Sequence, residues 1–150
     1  MRTCFLFGQS DTPDTIREAL CAELEKLVQL EGVTEMIVGH RGSFDKLATA
    51  AVQAILRRKP ELYGCVLIAY NDSAETVPLP EFFEMHYYPI ELYDVPRRYA
   101  IVKANQIALE QSDFLVTYCD RAGGNAGKLL QRAKRMEQKG YLKVINLAQR

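Results

Sequence analysis

The sequence predicts an α/β domain: a mostly parallel sheet of about five strands, ordered 3-2-1-4-5, with helices on both faces. Two observations carry this. Short β-prone runs alternate along the chain with stretches whose apolar residues recur at helical spacing, as in strands joined by crossover helices. The runs are also apolar nearly throughout, as strands buried on both faces require. A third observation sets the scale. At 150 residues, 48% hydrophobic and 25% charged, the chain has the length and composition of one globular domain. Right-handed crossovers then put the break in strand order between the first and fourth strands, where ligands of such sheets bind.

Residues 3–8 (Thr-Cys-Phe-Leu-Phe-Gly) form the first expected strand. Thr12-Pro13 opens a helix, with Thr12 as cap and Pro13 in its first position. Its stripe is Ile16, Leu20, Leu24, Leu27 and Val28, and Gly32 stops it. Met36-Ile37-Val38-Gly39 is the second strand and His40-Arg41-Gly42 a turn. Ser43 caps a second helix, striped by Phe44, Leu47, Ala48, Ala51, Val52, Ile55 and Leu56 and closed by Arg57, Arg58 and Lys59 before Pro60. Asp45 reads as a carboxylate that stabilises the first turn of that helix. Residues 64–70 are the third strand.

Residues 71–96 lack clear periodicity and hold four prolines. They read as an irregular acidic insert, with a short extended piece within 87–93. A segment this long without its own structure is usually functional or a lid. Asp94 caps the third helix near Pro96, and Ala100, Ile101, Ala104, Ile107 and Ala108 face inward. Residues 113–119 are the fourth strand. A glycine loop from Asp120 to Ala126 precedes a helix over about 127–139, and 143–147 form the last strand.

Several classes are disfavoured. No apolar run approaches the ~20 residues of a membrane span, and the apolar start is too short for a signal peptide. A cytoplasmic location and no membrane partner follow as expectations. Cys4, Cys21, Cys65 and Cys119 form no C-x-x-C pair, so no metal site is expected, and they read as small buried hydrophobes. A thiol role at Cys119 stays open. The 19 basic and 19 acidic residues balance, which disfavours a nucleic-acid-binding surface over the whole molecule. The balance hides asymmetry: residues 61–96 carry seven acids and no Lys or Arg, whereas 97–150 carry 11 basic and four acidic residues. Internal complementarity or a solvated face explains this, and an anionic ligand is the alternative.

Three turns converge at the expected crevice. In the last of them, Gly123, Gly124 and Gly127 permit close backbone approach at a helix start, whose free N–H groups suit a phosphate. Lys128 is read in the first helical turn, where a cation makes sense beside an anion. In the first turn, Gly8, Gln9 and Ser10 suit a base or ribose. G-x-G-x-x-G is missing there, so no dinucleotide cofactor is expected. In the second turn, Gly39 precedes His40, a candidate acid–base group, and Arg41, a candidate phosphate partner. Arg98 adds charge from the third helix, and Asn105, on its apolar side, needs a hydrogen-bond partner.

Taken together, Gly8-Gln-Ser-Asp-Thr-Pro-Asp14, Val38-Gly-His-Arg-Gly-Ser-Phe-Asp45, Pro96-Arg-Arg-Tyr-Ala-Ile, Gly-Gly-x-x-Gly and Val144-Ile-Asn-Leu resemble the SLOG superfamily of Rossmann-like proteins, close to its small bacterial YpsA-like members. The resemblance implies binding of a nucleotide or nucleotide-derived ligand. Relatives include the lonely-guy phosphoribohydrolases and the DNA-processing protein DprA. Lonely-guy enzymes carry P-G-G-x-G-T-x-x-E. Here Gly123, Gly124 and Gly127 match with one extra residue between them, Ala122 stands for the proline and Lys128 for the threonine. Leu130 and Gln131 stand near the place of the glutamate. Phosphate binding carries over and the glycosidase chemistry does not. Close relatives also have Gly-His-Arg after the first strand, where this chain has Gly8-Gln9-Ser10.

The expectation is therefore a binder of a nucleotide-derived small molecule, with no catalytic residue assigned. One alternative is an N-glycosidic hydrolase or transferase drawing on Asp11, Asp45 or Asp120. Another is a DNA-binding or protein-interaction scaffold, and homo-oligomerisation is left open.

Overall fold

The computed structural model describes residues 1–149. It contains a six-stranded, all-parallel sheet: β1 (Arg2–Leu6), β2 (Val33–Val38), β3 (Tyr63–Leu67), β4 (Met85–Tyr87), β5 (Phe114–Thr117) and β6 (Lys143–Asn146), ordered β4-β3-β2-β1-β5-β6. Four α-helices connect them: α1 (Arg17–Leu30), α2 (Ser43–Arg58), α3 (Arg97–Glu110) and α4 (Gly124–Gln138). The five expected strands are present in the expected order. The addition is β4, a three-residue edge strand within the segment read as irregular. It lies just before the expected extended piece and pairs Cys65 with Met85 and Leu67 with Tyr87.

Strand side chains alternate between two cores, which is why the runs are apolar throughout. Cys4, Leu6, Met36, Val38, Val66 and Val116 pack with α1 and α2. Phe5, Ile37, Cys65, Leu67 and Leu115 pack with α3 and α4 on the other face. Burying each such large side chain contributes ~1.5–3 kcal/mol, so both helical layers stabilise the sheet. Burial pushes the Cys65 thiol up to about 12 and the Cys4 thiol up as well, so both are inert thiols.

The helix starts differ from expectation. None of the four α-helices has a side-chain cap. Residues Asp14–Ile16 form a 3-10 turn before α1, and the Thr12 hydroxyl donates to the Gln9 carbonyl (2.7 Å) instead of capping. Ser43 is the first residue of α2 rather than its cap, and Pro96, not Asp94, precedes α3. Helix α4 begins at Gly124, three residues earlier than expected. At its far end α1 stops as expected, with Gly32 at φ +70°. No helix among the described residues is long and apolar enough to cross a membrane.

Candidate functional site

The winding reverses at β1. Strands β2, β3 and β4 follow on one side of it, and β5 and β6 on the other. The loops leaving β1 and β5 therefore diverge and leave a crevice at the carboxyl ends of the strands. A cleft of about 420 Å³ occupies that position.

Each wall of the cleft is held by specific bonds. Backbone amides of Phe7 and Gln9 donate to the Val116 and Tyr118 carbonyls (3.2 and 3.1 Å), extending the β1–β5 pairing into the loops. The Gln9 side-chain oxygen accepts from the Asp120 amide at 3.1 Å. The Ser43 amide donates to the Ser10 carbonyl (3.0 Å), and its hydroxyl lies 2.8 and 2.9 Å from the carbonyl oxygens of Ser10 and Thr12. Gly42, at φ +89°, makes this contact possible: a Cβ there would sit 2.8 Å from the Ser10 Cα. Asn146 pins the third loop. Its amide oxygen accepts from the Cys119 N–H (3.1 Å) and its amide nitrogen donates to the Cys119 carbonyl (2.9 Å), mimicking strand pairing.

Of the residues expected at the site, Gly8, Gln9, Ser10, Gly39, Arg41, Asn105, Gly123 and Gly124 line this one cleft. Three lie elsewhere. Arg98 rests over the Tyr99 ring at 4.9 Å. Gly127 lies behind the wall, where a Cβ would meet the Ala122 carbonyl oxygen at 2.3 Å, so it lets the loop press on α4. The earlier start of α4 moves Lys128 to the second turn, and its side chain borders a neighbouring hollow.

The start of α4 meets the cleft directly. Gly123 and Gly124 line it, and a Cβ on either would meet no atom within 4 Å. Gly124 takes a left-handed φ of +74°. With no side-chain cap, the first-turn amides and the positive end of the helix dipole address the cleft. Phe7, Leu67, Ala69, Ile101 and Ala104 add apolar surface to the same lining, suited to a flat ring.

Asp45, by its position an ordinary helix-start carboxylate, occupies a different place in the structure. It is only 5% exposed and borders the cleft. The Arg41 amide donates to Oδ2 at 2.7 Å, while Oδ1 is buried with no partner among the described residues. Burial pushes the carboxyl up to about 7, against the downward pull of the Arg41 amide and guanidinium. Gly39 leaves room for it, since a Cβ there would lie 2.5 Å from Oδ2. The sequence signal was its spacing with Ala48 and Val52, which puts Asp45 on the buried stripe of α2. His40 also borders the cleft, and its pKa is lowered by burial and then by Arg41, so at neutral pH the imidazole is uncharged.

Three further groups escaped the sequence reading. Arg121 bridges two loops at the cleft edge, bonding Asp120 at 3.0 Å and Asp11 at 2.9 Å. The exposed Asp120 carboxyl is held below its usual range by Arg121 and then by Gln9. Asn125 adds an amide from α4. Tyr70, after β3, carries the Arg97 guanidinium 3.9 Å from its ring centroid. Asp72 also reaches Arg97 at 3.7 Å, so the acidic segment does offset one cation at the start of α3.

The cleft can therefore hold an anion on the helix start, a flat ring on the apolar wall and hydrogen-bonding edges between Gln9, Ser10 and Asn105. Among the described residues, no group of three His, Cys, Asp or Glu side chains is arranged to hold a metal ion. No protein-family model matches the chain, and no curated protein matches it.

Proposed function

We propose that the chain binds a nucleotide or nucleotide-derived phosphorylated ligand in the switch-point cleft, as a member of the SLOG superfamily. The phosphate lies against Gly123 and Gly124 at the start of α4, and the nucleoside runs toward Gln9, Ser10 and Arg41. The observation that supports this most is the shared lining: the uncapped helix start, polar first-turn residues and an apolar wall border one cavity. Such a cavity suits a ligand that is anionic at one end and flat at the other.

A hydrolytic reading of the same site has one observation in its favour. Asp45 is a buried carboxylate in the cleft, with one oxygen unpaired and a pKa raised to about 7, which suits proton transfer near neutral pH. Asp11 borders the same cleft, whereas Asp120 is not part of the lining and pairs with Arg121, which is.

The test is a thermal-shift panel of nucleoside phosphates, followed by Gly124→Asp. A ligand at 100 times its Kd stabilises the fold by about 2.7 kcal/mol. Gly124→Asp places a negative charge on the helix start and strains a left-handed backbone position. The expected result is at least a tenfold loss of affinity, or about 1.4 kcal/mol. Unchanged affinity would overturn the proposal.

A further inference from the structure

A second hollow, of about 300 Å³, opens between α3 and α4. Asn105 and Asn125 belong to its wall and to the wall of the cleft, so the two spaces adjoin. Its charged lining is wholly basic: Lys128, Arg132 and Arg135, with Gln106 and Gln131 between them and no carboxylate. Glu110 pairs with Arg132 from the side. No ion pair involves Lys128 or Arg135 among the described residues.

Lys128 and Arg135 are exposed and Arg132 is half-buried, and the stripe differs from a mixed helix face in carrying a single sign of charge. The three cations stand at i, i+4 and i+7 on one side of α4, where like charges repel one another. On α1, acids and bases are mixed; on α4 the one carboxylate, Glu137, accepts from the Val144 amide at 2.7 Å, toward β6. Nothing on the helix itself neutralises the row. At 1.5 Å per residue, the backbone positions of the three residues lie about 6, 12 and 16 Å along the axis from Gly124, with their side chains leaning back toward it. Phosphates of a polyphosphate share one bridging oxygen and lie closer together than a helical turn. Phosphates joined through a sugar are spaced far enough to meet the helix start and then the row.

We infer that the hollow is a second phosphate subsite, and that the ligand of the cleft carries a further phosphate linked to the first through a nucleoside, as in a short 5′-phosphorylated oligonucleotide. Asn105 and Asn125 flank the passage between the two subsites. This rests on the nucleotide reading of the cleft and names the class of ligand more closely.

The test titrates the full chain calorimetrically with 5′-AMP, with the 5′-phosphorylated dinucleotide pApA and with inorganic triphosphate. The dinucleotide should bind at least about tenfold more tightly than AMP. Lys128→Ala with Arg135→Ala should bring it down to the affinity of AMP while leaving AMP itself within about twofold. Arg57→Ala with Lys134→Ala removes the same charge from outside the hollow and should keep the preference. Equal binding of AMP and pApA would overturn the subsite while the cleft reading stands. So would a preference that survives loss of Lys128 and Arg135, or one that falls equally in the control. Triphosphate binding as tightly as pApA would overturn the nucleoside linkage. Binding of neither nucleotide would overturn the cleft reading and the subsite with it.

Discussion

Asp45 stands on the first turn of α2, where a carboxylate ordinarily faces water and complements the helix dipole. Here it is turned inward, with one oxygen on the Arg41 amide and the other unpaired. Its ordinary pKa of 3.8 rises to about 7 in the fold. Between those values the folded chain holds a proton that the unfolded chain has lost, so stability falls as pH rises from about 4 to about 7. Asp45→Asn has no proton to lose. Its unfolding free energy, taken from urea titrations, should therefore drop less between pH 5 and pH 8 than that of the parent, by a difference on the order of a few kcal/mol. His40, whose pKa is lowered, contributes in the opposite sense and is common to both proteins, so the comparison isolates Asp45. A constant offset between the two profiles would contradict this account. The residue scale is also where the sequence was hardest to read. Gly123 and Gly124 were legible as cleft residues because a glycine pair before a helix leaves its start uncovered. Asp45 was not, because its inward turn depends on Gly39 leaving room and on the packing of a whole helix.

At the scale of elements, the site is a set of loops tied to one another. Ser43, Gly42 and Ser10 join the loop after β1 to the loop after β2. Gln9 ties the loop after β1 to the loop after β5, and Asn146 ties that second loop to the end of β6. Gly42→Ala should break the first tie, because the added methyl meets backbone at 2.8 Å in a left-handed conformation. The expected cost is ~1–3 kcal/mol in chemical denaturation, with a matching loss of ligand affinity as Ser10 shifts. Unaltered stability would show that the loops are not locked as described. The strands were readable because each buried run is apolar on both faces, and the helices because their stripes are periodic. Edge strand β4 was not. It has three residues, partly exposed and set among prolines, and it pairs on one side only. The capping assignments failed for another reason: Thr12 and Ser43 use their hydroxyls on loop carbonyls, a tertiary choice that local spacing does not encode. The start of α4 was placed late because glycines usually mark loops, yet here Gly124 is the first helical residue.

Across the whole molecule, the order β4-β3-β2-β1-β5-β6 puts the crevice between β1 and β5. It also separates the charges. The acidic segment carries edge strand β4 and its flanks, and α4 with its basic row lies beside β6. A neutral total therefore coexists with a positive side next to the cleft, which draws anions toward it. The crevice position was legible from strand alternation alone. Its adjacency to the hollow between α3 and α4 was not, since that depends on where α4 begins. The proposed function seats a phosphorylated nucleoside at the reversal of strand order. An amide NMR titration of the isotopically labelled chain with 5′-AMP tests this most directly. The account predicts saturable shifts clustered at Gly8–Ser10, Gly39–Arg41 and Gly123–Ala126, with residues at the far ends of the strands unmoved. Shifts concentrated away from those three loops, or none at millimolar nucleotide, would contradict it.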